Sequence, residues 1–194
     1  MLFLKAYLLF GLIVHKAVWE ILKRKQTASG PAQSVTNKVS GSFQLRLVKL
    51  TKIVILLGIA VQIFLPDLLP ISHEPFLIRV VGTTVYTIGL LLAIRSRAEL
   101  GANWSDIETA RISGEHVVIS NGPYRYIRHP IYVGDLLLLV GLELALNSWF
   151  ALGVLLLAPI VLRQALREEE KLASRLPAYQ KYCAETKRFI PFVV

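Results

Sequence analysis

N-G-P-Y-R-Y-I-R-H-P-I-Y-V-G, from Asn121 to Gly134, is polar, aromatic and basic, and an apolar run follows it without a break. Asn121, Gly122 and Pro123 are turn formers, glycine supplying a positive φ and proline a preset one. Pro130 lacks an N–H and suits the first turn of a helix, which the sequence therefore starts near Ile131. Tyr124, Arg125, Tyr126, Arg128, His129 and Tyr132 then crowd around one helix N-terminus. Such an end presents free N–H groups and partial positive charge, and it can hold an anion. A belt of Tyr and Arg at a membrane interface has the same composition. Spacing alone leaves both readings open.

Working outward, Ile131 to Leu146 and Trp149 to Leu162 are apolar and meet at Asn147-Ser148, which predicts a helical hairpin. The second arm is expected to run on past Arg163 into the amphipathic R-E-E-E-K-L, with Pro177 as its stop. Upstream lie three more apolar runs: Leu2 to Leu22, Ile53 to Leu65 and Phe76 to Ile94. The first is read as a retained span, because the basic cluster at 23–25 follows the apolar run and does not precede it. Lys and Arg gather at 23–25, 46–52 and 95–97, whereas the turn at 66–75 carries Asp67 and Glu74. That asymmetry predicts an outside N-terminus, with the 23–52 loop, the polar segment after Ile94 and the C-terminus cytoplasmic. The expected fold is an all-α integral membrane protein of about five transmembrane helices, a single domain over residues 1–194. Its site would form on the cytoplasmic side, between the loop before the fourth span and the C-terminal segment.

Composition agrees. Of the 194 residues, 54% are hydrophobic, too many for an ordinary soluble domain. The formal charge of +9 is scattered around apolar runs, with no block long enough to track a nucleic-acid backbone. Cys183 is the only cysteine, and His15, His73, His116 and His129 show no metal-ligand spacing. There is no G-x-G-x-x-G. The expected partner is therefore the lipid bilayer, with neither nucleic acid nor metal.

Several polar residues stand out against this background. Arg163 directly follows an apolar run; an arginine at membrane depth is costly and usually faces a partner or a cavity. Its planar fork suits a carboxylate. Arg167 shares its face, while Glu168 is turned about 100° away from Arg167. A solvated charged helix end accounts for Arg163, Arg167, Glu168 and Glu169 equally well. Asp135 and Glu143 lie inside an apolar helix and are candidates for intramembrane pairs, Asp135 with Arg163. Gly134 and Gly141, seven residues apart, mark a close helix contact. Arg79 is read as snorkelling to the outer interface, and Trp149 as an interface anchor.

R-H-P-x-Y-x-G at 128–134 has G-P-Y upstream at 122–124. Downstream come R-x4-E-E-x-x-L (Arg163, Glu168, Glu169, Leu172), Y-x-x-Y (Tyr179, Tyr182) and Pro191. Together these resemble the isoprenylcysteine carboxyl methyltransferase family and its relatives, the phospholipid methyltransferases, from about Leu100 to Pro191. The resemblance implies methyl transfer from S-adenosylmethionine, leaving S-adenosylhomocysteine, in a small helical membrane fold without a Rossmann domain. By position, it places the cofactor against His116, Val117, Val118, Ile119, Tyr124, Arg128, His129, Pro130, Ile131, Tyr132 and Glu168. It places the acceptor against Arg163, with Asp135 on the acceptor side; Arg163 and Glu168 are then the catalytic candidates. Trp104, Tyr124, Tyr126 and Tyr132 could stack on adenine or sulfonium.

Relatives carry Phe-Gly where this chain has Leu176-Pro177. Aligning back from Tyr179 puts Arg167 at the first glutamate, whereas aligning on E-E-x-x-L keeps Glu168 there and is preferred. Glu108 and Thr109 are weak candidates for a further cofactor contact. The acceptor implied is lipophilic: an isoprenylcysteine-like carboxylate ahead of a phospholipid, other amine or thiol. A non-catalytic membrane protein or transporter subunit, with Asp135, Glu143 and Arg163 as a polar pathway, is the competing class.

Overall fold

The computed structural model describes residues 1–29, 50, 57–101 and 117–191. His116, Trp104, Glu108, Thr109 and the basic positions Arg46, Lys49 and Lys52 lie outside the described residues, as does the start of the second apolar run. The helices are α1 (Leu2–Ser29), α2 (57–64), α3 (Phe76–Leu100), α4 (Pro130–Ala145), α5 (Phe150–Leu155), α6 (Ala158–Arg175) and α7 (Ala178–Glu185). A short 3₁₀ turn, Gly122–Arg125, precedes α4. Among the described residues, three helical stretches are long and apolar enough to cross a membrane: Leu2–Lys25, Phe76–Leu100 and Phe150–Arg175, the last made of α5 and α6 with a two-residue turn between them. α4 is apolar but has 16 residues, a rise of about 24 Å.

The expected contact at Gly134 and Gly141 is present, and its partner surface is also glycine. Gly82 and Gly89 on α3, likewise seven apart, lie against α4. A Cβ on Gly134 would come within 2.6 Å of the Ala93 nitrogen. On Gly82, Gly89 or Gly141 it would press into the backbone of Ala145, Leu138 or Tyr86. Small residues allow this backbone approach where apolar burial alone drives little association in lipid. Around the seam pack Leu8, Ile59, Ile63, Tyr86, Leu90, Leu138, Leu142 and Leu146. Tyr86 donates its hydroxyl to the Leu8 carbonyl at 2.7 Å, which ties α1 to α3.

The opposite end of the bundle from Tyr132 is closed by polar stitching. Asp67 N–H donates to the Leu146 carbonyl at 3.0 Å and Trp149 N–H to the Leu69 carbonyl at 3.0 Å. Asn147, at φ 57°, donates its amide to Asp67 Oδ1 and to the Ser72 carbonyl, each at 2.8 Å. Arg79 reaches this end too, where it binds both oxygens of Asp67 at 2.8 and 2.7 Å.

Three expectations need correction. The run from Trp149 to Leu162 is not one unbroken helix: α5 ends at Leu155 and α6 begins at Ala158. Pro159 explains the break, since a proline is tolerated only in a helix's first turn. Asp135 does not pair with Arg163; its Oδ1 lies 3.0 Å from His15 Nε2 on α1, while Arg163 is exposed on α6. The third helix does not end with the apolar run at Ile94: α3 continues to Leu100, and the Arg97 side chain is fully buried. Glu143 is paired as expected of an intramembrane acid, with Gln62 Nε2 at 2.6 Å.

Candidate functional site

The loop before α4 takes the shape its residues dictate. Gly122 has φ 56°, the conformation glycine tolerates best. Pro130 stands in the first turn of α4, with His129 as its N-cap. The Arg128 and His129 N–H groups are already taken, donating to the Lys187 and Arg188 carbonyls at 2.7 and 3.1 Å. Lys187 N–H donates back to the Tyr126 carbonyl at 3.3 Å, so residues 187–188 lie parallel to 127–129 like a short strand pair. The segment after α7 is thereby strapped onto the loop, joining the two polar segments that topology was expected to bring together.

Glu169 is the centre of this junction. Its Oε1 accepts from Arg128 Nε at 2.9 Å, Arg188 Nε at 3.0 Å and His129 Nε2 at 3.1 Å; Oε2 accepts from Arg188 Nη2 at 2.8 Å. The Glu169 and Arg128 side chains are 12% and 10% exposed. A carboxylate offers about four lone-pair sites, and Glu169 accepts four hydrogen bonds, three on Oε1 and one on Oε2. Because a carboxylate only accepts, His129 Nε2 carries the proton it shares with Glu169. The Glu169 hydrogen bonds hold the Arg188 guanidinium above even its ordinary range. Arg128 Nη1 also donates to the carbonyls of Cys183, at 3.1 Å, and Thr186.

Glu168, the next residue, is arranged differently. Its Oε1 accepts from the Tyr132 hydroxyl at 2.6 Å and from Gln164 Nε2 at 3.2 Å. Its Oε2 lies 3.8 Å from His129 Nδ1 and takes no hydrogen bond among the described residues; the side chain is 32% exposed. Neighbours on a helix are turned about 100° apart, so one acid can lock the junction while the other faces its opening. His129 sits between them, stacked 5.5 Å from the Tyr132 ring and tilted against the Phe189 ring at 5.7 Å.

Tyr124, Tyr179 and Tyr182 form the buried backing. The Tyr182 hydroxyl donates to the Tyr124 carbonyl at 2.8 Å. Burial pushes all three phenols well above their ordinary range, so they act as neutral hydrogen-bonding groups and not as bases.

Of the residues singled out in the sequence, Arg128, His129, Pro130, Ile131, Tyr132 and Glu168 come together here. Val117 is exposed, and Val118 and Ile119 are half-buried in non-helical chain. Arg163 stands apart on the exposed face of α6, and Asp135 lies one turn along α4 from Tyr132. Sequence reading gave no role to Glu169 or Arg188. The E-E doublet was a usable signal for Glu169; nothing in the spacing marked Arg188.

The sequence profile of the phospholipid methyltransferase family matches residues 77–179, more than half of the chain. The chain is 34% identical to the cobalt-zinc-cadmium resistance protein CzcN of Cupriavidus metallidurans, over 57% of its own length and 51% of that protein. It is 26% identical to the protein-S-isoprenylcysteine O-methyltransferase of Schizosaccharomyces pombe, over 55% of its length and 46% of that enzyme. It thus spans about half the length of the curated relatives it matches. The solved structure of a eukaryotic intramembrane Ras methyltransferase, an isoprenylcysteine carboxyl methyltransferase, superposes with a TM-score of 0.53 at 25% identity. That likeness covers 60% of this chain and 43% of that one. A match over residues 77–179 takes in α3, the R-H-P-x-Y loop, α4 and the Glu168–Glu169 doublet: the chain belongs to the phospholipid methyltransferase family and is similar within it to the isoprenylcysteine carboxyl methyltransferases.

Proposed function

We propose that the chain is an integral-membrane methyltransferase that uses S-adenosylmethionine and methylates the carboxylate of an isoprenylcysteine-like or other lipophilic acceptor. The observation that carries this reading is the inequality of two adjacent glutamates. Glu169 accepts four hydrogen bonds, whereas among the described residues Glu168 Oε2 accepts none, and a third of the Glu168 side chain is exposed. Glu168 lies beside a helix start, where the N–H groups of Ile131 and Tyr132 have no intrahelical partner. An open carboxylate oxygen next to free N–H groups fits a zwitterion, the oxygen for its ammonium and the N–H groups for its carboxylate. The amino-acid end of S-adenosylmethionine is such a group.

Arg128, His129, Pro130, Ile131, Tyr132 and Glu168 then form one wall, with Tyr124 behind it. Val117, Val118 and Ile119 offer non-helical backbone to the nucleoside, and His116 is assigned the same role from its sequence position. When bound, the cofactor supplies a sulfonium methyl that is already electrophilic. The residues hold donor and acceptor in line and keep water out, which is worth roughly 7–11 kcal/mol at best. Arg163, exposed where α6 leaves the apolar region, receives the acceptor carboxylate, and Asp135 borders the acceptor. The arrangement belongs to a single domain with five spans, the N-terminus outside and the site cytoplasmic.

A second reading, an amine acceptor, is favoured by one observation. The His15–Asp135 pair lies one turn along α4 from Tyr132, and a protonated amine must lose its proton before it can attack. Binding of radiolabelled S-adenosylmethionine to detergent-purified protein tests the shared part. His129→Ala and Tyr132→Phe should each weaken it, by about tenfold where one hydrogen bond to a charged group is lost. Equal affinity in both variants and the parent refutes the cofactor site, and no binding at all favours a non-catalytic membrane protein. A panel of prenylated cysteines, isoprenoid acids and phospholipid amines then separates the acceptors.

A further inference from the structure

α6 carries two sets of charges. Glu168 and Glu169 face the N-terminal end of α4. Arg163, Arg167, Lys171 and Arg175 follow at four-residue steps, starting about 140° around the axis from Glu168, and all four are exposed. Each step advances about 6 Å and drifts about 40° around the axis, so the four form one stripe about 18 Å long. Ile160, one turn before Arg163, is 62% exposed and belongs to the apolar surface the helix turns outward.

Six basic side chains elsewhere have acidic partners within 4.0 Å. Arg24 pairs with Glu20, Arg79 with Asp67, Arg95 with Glu99, Arg128 and Arg188 with Glu169, and Lys181 with Glu185. Arg163, Arg167 and Lys171 make no side-chain ion pair or hydrogen bond among the described residues, although Glu170 shares their helix. Three unneutralised cations in a row thus begin where an outward apolar face ends.

We propose that the stripe beyond Arg163, at Arg167 and Lys171, is a binding site for the headgroups of anionic phospholipids in the leaflet on the Glu168–Glu169 side of the membrane. Guanidinium forks and an ammonium suit phosphate oxygens. A basic helix face emerging from the acyl region meets headgroups at the depth where their charge lies. An acidic protein surface would answer the same charge. The lipid is favoured because the stripe starts within one turn of lipid-facing Ile160, leaving its upper rungs in the headgroup layer. The leaflet's composition would then bear on the helix that presents Glu168 and Glu169. This inference goes beyond the methyl-transfer reading and does not depend on it.

The test uses the full chain in phosphatidylcholine vesicles with trace spin-labelled phosphatidylglycerol or phosphatidylcholine, and reads the protein-associated fraction of each by electron spin resonance. The parent should prefer phosphatidylglycerol. Arg167→Gln combined with Lys171→Gln should lower that preference, by at most about fivefold per charge and about thirtyfold together. High salt should lower it too. Arg24→Gln combined with Lys181→Gln removes two charges that already have partners and should leave it nearly unchanged. The proposal is overturned if the parent shows no preference, if the α6 variant keeps the parent's preference, or if the control variant loses as much. A preference unmoved by salt also overturns it.

Discussion

Glu169→Gln removes one charge and no volume, so it isolates what the carboxylate does. In the parent, Glu169 is 12% exposed and faces Arg128 and His129, whose side chains are 10% and 6% exposed, with Arg188 closing the far side. A glutamine can accept with one oxygen only, and its amide N–H₂ would point at a guanidinium. Removing one partner of a buried ion pair costs about 3–5 kcal/mol, mainly because the opposite charge stays buried uncompensated. That is about 10²- to 10⁴-fold in the equilibrium between the docked and undocked strap. The expected outcome is release of residues 186–191 from the loop at 126–129, with the spans intact. Hydrogen–deuterium exchange read by mass spectrometry checks it: the Arg128 and His129 amides, which donate to the Lys187 and Arg188 carbonyls, should lose protection. Arg188→Ala should do the same more weakly, since its side chain is 29% exposed and solvent can replace part of what is lost. Unchanged protection in Glu169→Gln would refute the view that this carboxylate holds the junction.

Gly141→Ala places a methyl against the Tyr86 backbone and should destabilise the α3–α4 seam by about 1–3 kcal/mol, read as a lower melting temperature in detergent. Gly153→Ala, where a Cβ meets nothing within 4 Å, is the matched control. Arg163→Ala should damage acceptor use more than cofactor binding, by about 10- to 150-fold for a lost charge-assisted contact, with Arg163→Lys restoring only part. Glu168→Gln should do the reverse; an exchange of the two effects would exchange the roles. A reporter fused after Val194 should read as cytoplasmic, and an outside signal would reverse the proposed orientation.

The parts of this fold that local chemistry controls could be read in advance. Pro130 at the start of α4, Asn147-Ser148 at the hairpin and Pro177 after α6 each act through their own backbone. Gly134 and Gly141 announced a close contact by their spacing. Their counterparts Gly82 and Gly89 carried the same spacing, but the run from Phe76 offers no sign of which face meets which helix. The break before α6 follows from Pro159, but the uniformly apolar run around it gives no sign of an interruption. Asp135 illustrates the limit: it took a partner 120 residues away on α1, and no pattern around Arg163 or His15 distinguishes the two candidates. At the site, the motif residues were found because they lie in one stretch. Arg188 was not, because its importance comes from a carboxylate 19 residues back that only the turn at Leu176-Pro177 brings within reach.

The strap also bears on the order in which the molecule can be completed. Arg128 bonds to residues 41, 55 and 58 positions further on. While those are still to be synthesised, α4 can enter the bilayer with Arg128 and His129 solvated at its end, and nothing in the glycine seam with α3 has to wait for them. The polar junction can close only after residues 169–188 have been made, whereas the α3–α4 seam needs none of them. A defect confined to residues 183–188 should yield a protein that is correctly threaded, abundant in the membrane and packed along α3 and α4, yet without a formed site. Membrane abundance would then be a poor proxy for competence in this chain, and protection of the Arg128 amide a direct one.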